Sequence, residues 1–152
     1  MGAFTRRFPS VVDGVVTECF VYSPTEFEKG KRVRRLKLNR SLWDTGASSS
    51  LISTKAVDAL GLVPVGKSEI SGVNAGVEYK RTFLIHVGLP SGDVVTNVLA
   101  SEFDGEDYDL IVGMDIIQNG DLAVTNFKET TTFSFRIPSV IEIDFETGLI
   151  VE

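Results

Sequence analysis

Apolar and polar residues alternate with period two along much of this chain. Phe133, Phe135 and Ile137 are interleaved with Thr132, Ser134 and Arg136, and Ile141, Ile143 and Phe145 with Glu142, Asp144 and Glu146. Successive side chains of a strand point to opposite faces, so both segments are predicted to set one face on a core and the other in water. Segments 77–87 and 94–100 are rich in β-branched and aromatic residues, and a turn-forming cluster, Gly88-Leu89-Pro90-Ser91-Gly92-Asp93, joins them. Segment 15–22 also reads as a strand. His86 is opposite in phase to Phe83, Ile85 and Val87, which predicts an exposed histidine. Only two segments look helical. Segment 54–60 has Ser53 or Thr54 as N-cap and Gly61 as stop, and segment 114–118 ends at Asn119-Gly120. Segment 23–31, with Pro24 and Gly30, reads as a surface insertion. The chain therefore reads as all-β with one or two short helices, in a single domain over 1–152.

Composition narrows the function classes. A formal charge of −6 argues against nucleic acid, because phosphate binding needs a basic face. The basic residues between Lys29 and Arg40 read as a solvated strand face. Cys19 is alone, which excludes an intrachain disulfide, and its strand-like surroundings predict a small buried thiol. With one His and one Cys there is no standard zinc set, and the acidic stretch 102–109 lacks the alternating spacing of a calcium loop. No metal and no cofactor are expected. The first ten residues lead into no apolar signal segment, and no apolar run is long enough to span a bilayer, so a cytoplasmic setting is expected.

Gly61-Leu62-Val63-Pro64-Val65-Gly66-Lys67-Ser68 matches the phosphate-loop pattern letter for letter. That chemistry needs a strand before the loop and a helix after it. Here the order is reversed, and Pro64 has no N–H to offer.

The chemistry-bearing stretch is Leu42-Trp43-Asp44-Thr45-Gly46-Ala47-Ser48-Ser49-Ser50-Leu51-Ile52-Ser53, followed downstream by Asp109-Leu110-Ile111-Val112-Gly113-Met114-Asp115-Ile116-Ile117. The Asp-Thr-Gly turn, and two apolar residues with a Gly leading into a helix, resemble the retropepsin-like aspartic proteases, in their cellular and bacterial branch. The resemblance is strongest over 35–127, with 1–34 and 128–152 as extra strands and extensions. It implies a closed, barrel-like acid-protease fold and an aspartic endopeptidase. Asp44 would be catalytic, with Thr45 and Gly46 positioning it and Thr45 bonding across to the partner's loop. Ala47 and Ser48 would border an extended polypeptide substrate, and Trp43 would pack beneath the loop. Ile111, Val112 and Gly113 would buttress Asp44, and a hairpin through Gly72, Val73, Asn74, Ala75 and Gly76 would be the flap.

One Asp-Thr-Gly per chain, in a reaction that needs two carboxylates, implies a homodimer. Retroviral relatives pair an Asp after the Ala with an Arg after the later Gly. Ser48 and Met114 stand here instead, so both charges are absent together and the dimer must be held differently, with the strands beyond Asn126 as candidates. The alternative is a catalytically weak or inactive module for dimerisation or peptide binding.

Overall fold

The alternating segments become strands, and the strands close on themselves. The computed structural model describes residues 2–27, 33–72 and 75–151. In chain order these hold β1 (Gly2–Arg7), β2 (Val15–Tyr22), α1 (Pro24–Phe27), β3 (Arg35–Trp43), β4 (Leu51–Ser53), α2 (Thr54–Leu60), β5 (Gly66–Gly72) and β6 (Ala75–Gly88). They continue with β7 (Val94–Phe103), β8 (Leu110–Val112), α3 (Met114–Ile117), β9 (Asp121–Thr125), β10 (Thr132–Ile137), β11 (Glu142–Asp144) and β12 (Leu149–Val151).

The main sheet runs β2-β3-β8-β4-β7-β6-β5, and a further β2–β6 pairing closes it into a barrel, leaving β5 on the outer part of β6. The long β6 makes this possible, since residues 75–82 pair with β5 and residues 86–88 with β2. A second sheet, β1-β10-β9, covers one flank. Phe133 and Phe135 of β10 face inward, as their alternation predicts, and their rings lie 5.0 and 4.8 Å from that of Trp43. Phe4 of β1 completes the aromatic cluster. The two sheets therefore share one apolar interior, in which Cys19 is fully buried as expected.

Helix α2 is capped as its sequence requires. Ser53 is the N-cap and accepts the Ala56 N–H at 3.2 Å, while Gly61 ends the helix with φ 62°, a left-handed conformation costly for any residue with a Cβ. Helix α2 precedes Gly61 and strand β5 already begins at Gly66, so the phosphate-loop pattern has no phosphate-binding geometry behind it. One helical turn, α1, appears inside the segment read as a loop insertion.

Two readings of the alternation are corrected. His86 is 5% exposed rather than solvated. Between Ile85 and Val87 the β6–β7 pairing shifts register, from Ile85–Val98 to Val87–Val95, so β7 carries an extra residue. Asn97, with φ 59°, turns its N–H to His86 Nδ1 at 3.0 Å, and β2 covers the other edge through Tyr22. A bulge breaks strict alternation, and a lone polar residue in phase with solvent gives no warning of it. The second correction concerns 141–145. Among the described residues β11 pairs only with β12, in a separate two-stranded hairpin, and Phe145 is 88% exposed in its turn. The alternation there is real but faces no core of its own.

Candidate active site

Strands β3 and β4 are consecutive in sequence yet do not pair. β8 lies between them, parallel to β3 and antiparallel to β4, with Trp43 opposite Val112 and Leu51 opposite Ile111. The connection 44–50 therefore loops over the end of β8, and hydrogen bonds fasten it there. Asp44 N–H donates to Val112 O at 3.0 Å, and Met114 N–H donates to Ala47 O at 2.8 Å. Within the loop, Gly46 N–H donates to Asp44 Oδ1 at 2.8 Å, and Ala47 N–H closes a turn on Asp44 O at 3.2 Å.

The underside of the loop rests on a polar hub that the motif does not announce. Ser50 is fully buried; its Oγ accepts the Gly113 N–H at 3.0 Å and donates to Asp115 Oδ1 at 2.7 Å. Its N–H reaches Asp115 Oδ2 at 3.0 Å. Asp115 Oδ1 also takes the Ile116 N–H in the first turn of α3, where a carboxylate complements the helix's free donors. Gly113 has no room for a side chain: a Cβ there would sit 2.7 Å from the Ser49 carbonyl carbon. Neither Ser50 nor Asp115 was singled out from sequence. An acid in the first turn of a helix, immediately after the Gly113-Met114 pair, was the available signal for Asp115.

Trp43, one residue before Asp44, is packed beneath the loop as expected. It lies against Phe133 and Phe135 and donates its Nε1–H to Thr17 Oγ1 at 2.9 Å. Rigid packing on one side and β8 on the other leave Asp44 only partly buried, with Thr45 and Gly46 exposed at the surface. Beside it is a shallow depression of about 390 Å³ whose walls include Val12, Asp13, Gly14, Leu42 and Val124.

The other expected site residues are placed as follows. Ala47 is half-buried and Ser48 exposed, both in the loop. Ile111, Val112 and Gly113 lie directly under it. The flap segment falls on the β5–β6 hairpin, whose arms pair from Gly66–Thr82 up to Gly72–Ala75, with Gly76 exposed. Val73 and Asn74 lie outside the described residues. Among the described residues, no group of three His, Cys, Asp or Glu side chains is placed to hold a metal ion, and no helix is long and apolar enough to cross a membrane. The acidic stretch instead ties down cations. Glu102 takes a two-pronged bond from Arg81, at 2.9 and 2.7 Å, and Asp104 pairs with Lys80 at 3.2 Å.

No curated protein sequence matches the chain. Among solved structures, a retropepsin-like aspartic protease from Rickettsia conorii superposes with a TM-score of 0.52 at 13% identity, over 87% of this chain and 91% of that one. The retroviral protease-like domain of Ddi1 from Leishmania major gives a TM-score of 0.47 at 15% identity, over 81% and 95%. At such identities the Rickettsia structure speaks for the fold alone. The sequence profile of the family described as gag-polyprotein putative aspartyl protease matches residues 37–119, from β3 through α3. With more than half of its length matched, the chain belongs to the retropepsin-like aspartic protease family.

Proposed function

We propose that this protein is an aspartic endopeptidase whose active form is a homodimer, with one Asp44 from each chain meeting at a two-fold axis. The observation that carries the reading is the placement of Asp44. Its carboxylate is held by the Gly46 N–H on a loop braced from below by β8 and Ser50, and it opens to the surface rather than into its own barrel. A partly buried carboxylate so fixed, without a charged partner among the described residues, suits a site completed from outside.

Two such carboxylates in contact cannot both ionise and share one proton. The ionised member takes a proton from a bound water, which attacks the scissile carbonyl carbon as the protonated member donates to its oxygen. Collapse of the resulting tetrahedral intermediate, with a proton passed to the amide nitrogen, breaks the C–N bond. Thr45 and Gly46 position the carboxylate, with Thr45 bonding to the partner's loop, and Ala47 and Ser48 border the substrate. The β5–β6 hairpin, carrying Gly72 to Gly76, is the flap: an extended polypeptide would pair beneath it as a strand, and closure would exclude water.

The test is cleavage of an unbiased peptide library by the wild type and by Asp44→Asn, from about pH 4 to about pH 7, where a shared-proton pair is half-ionised. Cleavage by the wild type, absent in Asp44→Asn, is expected. A dimer that binds peptides but cleaves none would overturn the reading in favour of a binding module.

A further inference from the structure

We propose that the outer edge of β7 is a docking groove for the extended flank of a polypeptide substrate, which adds to β7 as a strand after passing the Asp44 loop. This deepens the protease reading and rests on it: the groove holds a part of the substrate remote from the scissile bond.

A groove of about 610 Å³ runs along residues 93–99, and every residue of that stretch forms part of its wall, even the core residue Val98. Side chains of a strand alternate between two faces, so an unbroken run of lining residues means that the groove follows the backbone edge. The pairing agrees. β6 covers one edge of β7 from Val94 to Ser101. On the other edge, among the described residues, β4 reaches only Ser101, Glu102 and Phe103. The chain before β4 leaves that row at Ser50, which is bonded down to Gly113 and Asp115. The row that a longer β4 would fill is the groove. Strands turn N–H and C=O groups to both edges, so residues 94–99 offer theirs to whatever lies there.

The far wall is formed by Ser49, Asp115, Asn119 and Ile137. It is firm, because Asp115 is bonded to Ser50 and Asn119 Nδ2 donates to Asp115 O at 2.8 Å and to Ile116 O at 3.1 Å. Strand addition takes affinity from backbone groups and specificity from pockets for alternate side chains. Leu99 is 53% exposed, and Val95 and Ile137 are half-buried, so the side chains offered to a guest are mainly apolar.

Position and shape name the occupant. Ser49 in the wall follows Ser48, which borders the substrate in the proposed reaction, so a polypeptide running past Ser48 meets the groove at Ser49. The edge is also kinked. Asn97, with φ 59°, turns its N–H inward to His86 Nδ1 at 3.0 Å, and β7 carries an extra residue there. Such a bulge discourages pairing with a long, regular strand of a second copy, whereas a flexible peptide can follow it.

The probes are two pools of randomised peptides, about eight and about sixteen residues long; the difference spans about 27 Å as a strand, enough to follow residues 93–99. The wild type is expected to cleave the long pool with a kcat/KM higher by about tenfold or more, through a lower KM. The groove is then filled by coupling a bulky maleimide to Leu99→Cys; Cys19 is fully buried and does not compete for the label. The labelled protein is expected to cleave both pools alike. Labelling at Thr96→Cys, also exposed, repeats the block further along the groove, so one badly folded variant does not decide the matter. Pools cleaved equally well by the wild type, or a long-pool advantage that survives both labels, would overturn the groove and leave the protease reading standing. If the wild type cleaves neither pool, retention on immobilised protein replaces cleavage as the readout. A long pool held by the wild type and released by both labels keeps the groove while the protease reading falls; a pool not held, or held regardless of the labels, removes both.

Discussion

Replacing Ser50 by Ala would strip the hydroxyl that accepts the Gly113 N–H and donates to Asp115, and would leave both in a buried place without it. An unsatisfied buried polar group costs about 1–3 kcal/mol, so Ser50→Ala is expected to lower stability by that amount in denaturant unfolding. Because the lost bonds support the Asp44 loop, peptide cleavage should fall by more than the folded fraction does. At this scale the sequence was partly legible. Asp44, Thr45 and Gly46 stood out only through the family resemblance, since Asp and Gly are ordinary turn residues, and the same resemblance implied the packed place of Trp43. Ser50 was illegible: nothing in a run of three serines says which is buried, since that depends on β8 arriving from residue 110. His86 misled for the same reason, as its burial comes from an extra residue in another strand.

Element by element, the sequence spoke most clearly where interactions are local. Ser53 and Gly61 bracket α2 because a side-chain acceptor and a left-handed residue act within one turn. Ser53→Ala, which removes the acceptor for the Ala56 N–H, is expected to cost about 1 kcal/mol, read as a shift in the denaturation midpoint. A change several-fold larger would show that Ser53 holds more than the helix end. The strands were legible as strands, but their neighbours were not. Nothing in the spacing of β3, β4 and β8 says that the third enters between the first two; the family resemblance implied only that Ile111, Val112 and Gly113 would buttress Asp44. The 141–145 segment shows the converse, where a sound alternation was taken for a core-facing strand although a two-stranded hairpin is its whole sheet.

Across the whole molecule, acid acts on the fold as well as on any catalytic pair, and the two effects separate by pH. The Ser139 hydroxyl and Val140 N–H, with Arg136, hold Asp121 well below the ordinary carboxylate range, and the bond from Arg81 lowers Glu102. A carboxylate whose folded value is lowered contributes stability above its unfolded value, 3.8 for Asp and 4.5 for Glu, and loses it as pH falls toward the folded value. These two groups should therefore leave the unfolding temperature level between about pH 5 and 7 and lower it progressively below about pH 4. Asp121→Asn should flatten that acid limb. A loss of cleavage between pH 5 and 7 with an unchanged unfolding temperature would belong to the Asp44 pair rather than to the fold.

The claim that Asp44 works in pairs is tested most directly by mixing subunits. Wild type and Asp44→Asn, equilibrated together at constant total protein and varied ratio, would be assayed on one cleaved peptide. If each active site takes one Asp44 from each chain, activity follows the square of the wild-type fraction, so an equal mixture retains about one quarter. Activity that falls linearly, to about one half in the equal mixture, would mean that each chain works alone, and would contradict the account.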